Sequence, residues 1–464
     1  MAHYTLTREI PKTSAYDIVI AGGGPAGTAA AIVAGRLGAK VLLIEATGCL
    51  GGMGTSGLVT AFDPMANGEQ NLVGGIMLEI VETMYERGQL PPHVTPEFWR
   101  RKYHCWTQFR AEGLKQLLDD MTQDAGVEVL LFTTLVDVDA DEQSVNGAII
   151  NNIEGFHYVP SKTFIDCTGD AVLAHLAGVP CRTNPHFMPG TLCSLHAGVD
   201  WDRAAKHSQQ ALLEQAIGAG HFTQPDRHLP GLTRAGGQLG YLNGGHLFGK
   251  NALNARERTE GMILGRKLVR EYVDFYRKYM PGCENMELVC TAALMGVRET
   301  RRIVGEYELC FADYQARRQF PDQIGVFNKF VDIHVRDCSD EEYARFQHEM
   351  SDIGRLKQGE CFGIPYGILV PKGWQNLWVA GRCNSSDVMV HGSIRVMPAA
   401  AMMGQAAGTA AVQAIQTGQT ACALDTERLV FSLRDQGAYL PQGTLCREMT
   451  RRDVSQDRGV NNEV

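Results

Sequence analysis

Tyr16-Asp17-Ile18-Val19-Ile20-Ala21-Gly22-Gly23-Gly24-Pro25-Ala26-Gly27, continued by Val41-Leu42-Leu43-Ile44-Glu45, decides the fold of this chain. An apolar run enters a G-x-G-x-x-G turn, a helix of small residues follows, and a second apolar run ends in an acid. This is the pattern of a mononucleotide-binding βαβ unit. Gly22 permits the tight strand-to-helix turn, Gly24 leaves room for a pyrophosphate against the backbone, and Gly27 lets helix and strand lie close. Pro25 suits the first helical turn, where its missing N–H costs nothing. The free N–H groups there, with the positive end of the helix dipole, attract phosphate. Glu45, with Ala46 beside it, is placed to accept hydrogen bonds from the adenosine ribose. Its charge repels a 2′-phosphate, so the expected nucleotide is of the FAD or NAD kind.

Downstream pieces separate those two. After Glu45 comes Gly48-Cys49-Leu50-Gly51-Gly52-Met53-Gly54-Thr55-Ser56-Gly57, where an NAD fold would resume its strand–helix alternation. A glycine-dense stretch instead offers backbone N–H groups to an extended ligand. Phe164-Ile165-Asp166-Cys167-Thr168-Gly169-Asp170 is a further apolar strand ending in a polar turn, far along the chain, as though an inserted β segment interrupted the sheet. Leu377-Trp378-Val379-Ala380-Gly381-Arg382 comes later still, before a helix of small residues predicted over 399–414. A nucleotide fold completed from the C-terminal part suits a long ligand, so these features favour FAD.

The pattern also predicts a helix from Phe109 to about Asp124, a strand at 127–132, short strands at 135–138 and 148–153, and a strand at 368–370. A long helix, Arg256 to Tyr279, is closed by Pro281-Gly282. The expected fold class is α/β: a Rossmann-like FAD-binding domain with a parallel sheet and an inserted β segment, plus a second α+β substrate domain. The first part covers 1–184, the substrate or cap domain 185–360, the completing part 361–420 and a C-terminal extension 421–464, with residues 1–15 a polar leader.

On these pieces the chain resembles the FAD-dependent oxidoreductase family, within the glutathione-reductase-like class of two-dinucleotide-fold flavoproteins. The resemblance is carried by Gly22 to Gly27, Glu45 with Leu50-Gly51-Gly52, Ile165 to Asp170, Gly296-Val297-Arg298-Glu299-Thr300-Arg301-Arg302, Asn376 to Arg382, and Arg395-Val396-Met397 with Gly404-Gln405-Ala406-Ala407-Gly408. It spans residues 16–415 and names no substrate. It implies that Gly22 to Gly27 and Glu45 hold the ADP half, and that Leu50 to Thr55, including Gly51, Gly52 and Met53, line the pyrophosphate and flavin. It implies an adenine near Val136. It further implies that Thr168, Gly169 and Asp170, with Gly381, Arg382, Arg395, Val396 and Ala399, close over the ribityl chain and ring.

Composition excludes other classes. A formal net charge of −9 argues against nonspecific binding to nucleic acid or anionic membranes. No stretch approaches 18 apolar residues and no charged-then-apolar leader opens the chain, so neither a membrane span nor a secretory signal is expected, and the expected compartment is the cytoplasm. The 13 cysteines are odd in number and contain no C-x-x-C, so they read as reduced packing thiols. No His/Cys spacing matches a zinc site, and no metal is expected. Cys49 has no neighbouring cysteine, which argues against thiol–disulfide chemistry; it packs in a tight loop, touches the flavin or bonds to it covalently. No second G-x-G-x-x-G follows a strand, so hydride is expected to pass between substrate and flavin without a built-in NAD(P)H domain.

Oxidation of a C–H bond by flavin needs a base for the departing proton and a cation or donor for developing negative charge. His391, in Val390-His391-Gly392-Ser393-Ile394-Arg395, is the first candidate base, against a plainer reading as a structural histidine. Arg395 is placed to balance a reduced flavin or hold a carboxylate, or else is a structural hydrogen bonder. His246, in Asn243-Gly244-Gly245-His246, reads as a substrate-loop residue or a surface loop. Arg298, Arg301 and Arg302 bind an anionic substrate or pair with Glu299 and Glu306; salt bridges are favoured. His334 beside Asp332 is a candidate oriented base, and Tyr366 a candidate donor, with core packing as the alternative for each.

The expected function is an FAD-dependent oxidoreductase moving a hydride between a small polar organic substrate and flavin N5, with an electron acceptor that the residues leave unnamed. Two rivals stand beside it: a flavoprotein modifying a macromolecule such as tRNA, for which Arg447, Arg451 and Arg452 offer a short basic cluster, and a non-catalytic flavin-holding subunit. A homo-oligomer is compatible with the sequence, which does not fix the oligomeric state.

Overall fold

The computed structural model describes residues 4–441 apart from His104, Asp352 and Gly354, so the basic cluster at 447–452 lies outside the described residues. Strands β1 (Tyr16–Ala21) and β2 (Val41–Ile44) run parallel, joined by helix α1 (Pro25–Arg36), with Ile18 opposite Val41 and Ala21 opposite Ile44. β1 alternates in the sense a sheet buried on both faces requires. Ile18 and Ile20 enter one apolar core, Val19 and Ala21 the other. Helix α2 (Ala111–Asp124) leads to β3 (Glu128–Leu130), which lies parallel beside β2.

The inserted β segment follows. β4 (Thr134–Ala140), β5 (Val145–Asn152) and β6 (Gly155–Asp166) form an antiparallel meander. β6 is long because it serves two pairings. Its first half, up to Pro160 opposite Gly147, pairs with β5; its second half, Ser161 to Asp166, runs parallel to β1. Pro160 stands at the change of partner, where a missing N–H is cheapest.

The chain then builds a separate antiparallel sheet from β7 (Ser194–Ala197), β8 (Gly231–Gly236), β9 (Leu239–Asn243) and β10 (Glu287–Thr291), in the order β8-β9-β7-β10. Helix α3 (Ala255–Tyr279) packs Tyr272, Phe275 and Tyr276 into its core. Last, β11 (Leu377–Val379) returns to the first sheet, parallel to β6 with Leu377 opposite Phe164. The parallel order is β3-β2-β1-β6-β11. The fold is thus α/β, with a Rossmann-like parallel sheet, an antiparallel insertion and a second mixed α and β region.

Helix α4 (Met397–Thr417) closes the structure. It is buried from Met397 to Ala414, and it crosses α1 at backbone distance. A Cβ on Gly404 would lie 2.0 Å from the Ala26 carbonyl oxygen, and one on Gly408 would lie 2.5 Å from that of Ala30. Small residues on both helices make that approach available. A short helix, Thr426–Asp435, buries Leu429, Val430 and Leu433 beyond it.

One local expectation is corrected. Residues 366–369 form a 3₁₀ turn rather than a strand, because the Tyr366 hydroxyl is drawn inward, donating to the Ala421 carbonyl (2.9 Å) and accepting from Trp378 Nε1 (2.8 Å). Arg298 to Arg301 lie in irregular backbone and Arg302 opens a two-residue strand, and the guanidiniums of Arg298, Arg301 and Arg302 are each anchored to a different segment. We expect Gly408→Val to lower stability by about 1–3 kcal/mol, as overpacking does, while Gly218→Ala, whose Cβ meets nothing within 4 Å, leaves it unchanged or slightly raised; thermal melts of the two variants check this.

Candidate functional site

The C-terminal ends of β1 and β6 open onto a cavity of about 850 Å³ that continues to the face of the second sheet. Its size and its mix of apolar wall with a few polar groups are those of a cofactor and substrate site. At one end lie Gly22, Gly24, Pro25, Ala26, Glu45 and Ala46. Gly22 has φ +97°, and a Cβ there would lie 2.5 Å from the Cys167 carbonyl oxygen. Gly27 is a packing glycine, since its Cβ would sit 1.8 Å from the Gly22 carbonyl oxygen. Gly24 differs: a Cβ there meets nothing within 4 Å, so its missing side chain leaves open space facing the cavity.

The Glu45 carboxylate is held in place by the backbone. Oε2 accepts from Gly23 N–H and Oε1 from Thr47 N–H, each at 2.7 Å. Each oxygen keeps a further lone pair for a hydroxyl. Thr133, Thr134 and Leu135 continue this end, and Gly52 and Met53 line its flank.

The middle of the cavity is tied by Asp170. It accepts from Arg382 Nη2 (2.6 Å), Thr300 Oγ1 (2.9 Å) and Arg258 Nη2 (3.2 Å), joining the turn after β6 to the strand end after β11 and to α3. Burial alone would raise its pKa, but Arg382 and Arg258 hold it below the usual carboxylate range.

The far end is ionisable. Arg395 Nη2 lies 3.1 Å from Asp332 Oδ2 and donates to the Asp332 carbonyl at 3.0 Å. Lys329 pairs with Asp63. Arg298 donates to the Pro189 carbonyl (2.6 Å) and Thr191 Oγ1 (2.9 Å). Burial, with Arg395 nearby, lowers the Arg298 guanidinium to about 10. Despite burial, Arg395, Lys329 and Arg298 hold the Asp332 carboxyl below its ordinary value. Between these charges stand the imidazoles of His228 and His334, with His246 buried behind them. Burial lowers the pKa of all three, that of His228 to about 4.

Most expected residues reach the cavity: Gly22, Gly24, Pro25, Ala26, Glu45, Ala46, Gly52, Met53, Thr168, Gly169, Asp170, Gly381, Arg382, Arg395 and Val396. Gly27, Gly51, Thr55, Val136, His246 and Ala399 do not line it. Gly51 donates to Gly23 and Thr55 Oγ1 to the Leu50 carbonyl (2.6 Å), so both shape the loop from within. Val136 lies one residue past the lining position Leu135 on β4. Ala399 is off the phase of α4 that presents Met397 and Ala400.

The main correction concerns His391. It is fully buried, its Nε2 is 2.8 Å from the Arg382 carbonyl oxygen, and it does not line the cavity. Asp387 caps the short helix carrying it, which turns the imidazole into the protein, so His391 positions the Arg382 backbone and does not face a ring. Cys49, Tyr366, Arg301 and Arg302 also stay off the cavity; Arg302 pairs with Glu299 as expected. Asp63, Asp226, His228 and Lys329 escaped sequence reasoning. They sit in loops without a motif, and only His228-Leu229-Pro230-Gly231, a turn before an apolar run, carried a local signal.

The family model for FAD dependent oxidoreductases matches residues 17–433. The chain belongs to this family. It is therefore an enzyme, an oxidoreductase, and its cofactor is FAD. The open space at Gly24 and the fixed carboxylate of Glu45 fit the pyrophosphate and ribose of that cofactor. No curated protein is significantly similar in sequence. Among solved structures, a geranylgeranyl bacteriochlorophyll reductase-like protein of Thermoplasma acidophilum is 13% identical with TM-score 0.44, covering 91% of this chain and 82% of that one. A flavin-dependent brominase is 14% identical with TM-score 0.45, covering 91% and 83%. L-proline dehydrogenase from P. horikoshii is 13% identical with TM-score 0.41, covering 92% and 99%. No helix among the described residues is long and apolar enough to cross a membrane.

Two outcomes test the nucleotide end. Gly24→Ala should leave the apoprotein folded while weakening FAD binding at least tenfold, and Glu45→Ala should also weaken FAD retention, both measured by flavin titration of apoprotein. A third concerns acid. Between about pH 6.5 and 4 the unfolded chain binds protons that the folded histidines refuse, so stability falls as pH drops through that window. Melting temperatures should decline there, and less steeply in His228→Gln.

Proposed function

We propose that this enzyme oxidises or reduces a small polar organic molecule by hydride exchange with flavin N5. The reading is carried by one observation: a single cavity runs from the Gly22–Gly27 turn to a wall bearing Arg298, Lys329, Asp332, Arg395, His228 and His334. A nucleotide end and an ionisable end in one enclosure suit a dinucleotide whose reactive half meets a substrate. When bound, FAD supplies the two-electron chemistry.

The residues of this chain do the rest. Glu45 and the glycine turn orient the nucleotide half. Asp170 locks three segments around the middle of the cavity, which keeps the two ends in register. Arg298 and Arg395 present positive charge to an oxygen or carboxylate of the substrate, and their hydrogen bonds to Pro189, Thr191 and Asp332 fix where that charge lies. Burial disfavours protonation of His228 and His334, so both stand as neutral imidazoles at the substrate's polar end. We place the chain in the glutathione-reductase-like class on its C-terminal completion of the sheet by β11 and α4. A cytoplasmic setting suits the free thiols of the described cysteines. Oxygen, a quinone or another carrier takes the electrons onward.

The test is anaerobic reduction of the enzyme-bound flavin by a panel of small alcohols, hydroxy acids and amines, followed at the flavin absorbance. With the active compound, His228→Gln should slow reduction by about 10²–10⁴-fold, and His391→Gln should leave it within about threefold, since that histidine is off the cavity. Full flavin occupancy with no reduction by any small compound overturns the reading.

A further inference from the structure

His228, His246 and His334 come from three distant segments, yet each brings a ring nitrogen within 4.8 Å of the other two. His228 stacks on His246 with ring centroids 4.9 Å apart, and His334 meets both rings edge-on. His246 Nε2 and His334 Nδ1 are 3.1 Å apart.

Counting protons on these rings exposes a conflict. Asp226 Oδ2 lies 3.0 Å from His246 Nδ1. That carboxylate is itself fixed, since it accepts the backbone N–H of His246, the backbone N–H of His228 and the Tyr343 hydroxyl, each at 3.0 Å. Its charge beside Nδ1 favours a proton there, although that nitrogen makes no hydrogen bond of good geometry among the described residues, and this leaves the Nε2 lone pair facing His334. On the far side of His334, Nε2 lies 3.5 Å from Asp332 Oδ1, a charge contact rather than a hydrogen bond, which favours a proton on Nε2 and leaves the Nδ1 lone pair facing His246. Two lone pairs then confront each other at 3.1 Å.

A proton moved onto His334 Nδ1 would relieve that contact. It would also point a bare Nε2 at the Asp332 carboxylate. A metal cation satisfies both rings at once, and a carboxylate behind a ligating imidazole is the usual support for one.

We propose that His228, His246 and His334 form a three-imidazole site for a divalent first-row transition ion of the zinc type, with Asp226 and Asp332 orienting two of the ligands. Imidazole nitrogens bound at about 2.0–2.1 Å to a tetrahedral ion stand roughly 3.3 Å apart, close to the separation of His246 and His334. Three protein ligands leave a fourth position open, the arrangement of a reactive site. His228 and His334 line the cavity, so that position faces it. Asp226 and Asp332 offset the charges of Arg298 and Arg395 around the ion. Resting on the function proposed above, the open position takes a hydroxyl or carboxylate oxygen of the substrate. No sequence spacing signals this site, because its ligands come from two loops and the start of a two-residue strand, far apart in the chain.

The experiment is equilibrium dialysis of the flavin-loaded enzyme against zinc ion, with metal counted by mass spectrometry and affinity set by competition with a chromogenic chelator. We expect one zinc per chain, weakened at least 100-fold in His228→Ala and about 10–100-fold in Asp226→Asn, with flavin content and circular dichroism retained in His228→Ala. Zinc uptake equal in the parent and His228→Ala overturns the site. If Asp226→Asn fails to fold, Asp332→Asn serves as the second-carboxylate variant, with the same expected weakening. Zinc bound by a protein whose flavin no small compound reduces leaves the site standing and removes the proposed function; flavin reduction without zinc binding does the reverse.

Discussion

The contact on which the rest depends is the crossing of α4 over α1. Gly404 and Gly408 lie against the carbonyls of Ala26 and Ala30 with no room for a side chain between them. This apposition joins the last quarter of the chain to its first glycine turn. It also delivers Arg395, Val396 and Met397, at the N-terminal end of α4, into the cavity that the glycine turn opens. A larger residue at either glycine would push apart the two halves of one pocket.

Electrostatics organises the other end. The cavity wall holds several ionisable groups, each tied before any ligand arrives: Arg395 to Asp332, Lys329 to Asp63, Arg298 to Pro189 and Thr191. Charges fixed in this way need no reorganisation when charge develops on a bound molecule, which is what makes them effective in a desolvated site. The histidines between them are neutral because burial opposes their protonation, and neutral imidazole is both an acceptor and a metal ligand. His391 has the same low basicity for the same reason, but it is turned away from the cavity and serves only to hold a backbone carbonyl.

Sequence alone determined the parts whose information is local. The βαβ unit, the acid at the end of its second strand, the turn at Thr168–Asp170 and the small-residue C-terminal helix are each written in a contiguous stretch, because glycine conformation and strand alternation act over a few residues. Tertiary structure alone decided which ionisable groups face the cavity. His391 lies close to the right strand end in sequence, but helix phase and the Asp387 cap rotate it inward. His228, His246 and His334 share no motif, and three segments far apart in the chain bring them together. Side-chain direction and long-range loop packing have no short-range pattern, so a pocket's backbone frame is legible in the chain while the identity of its reactive wall emerges only when the chain is folded.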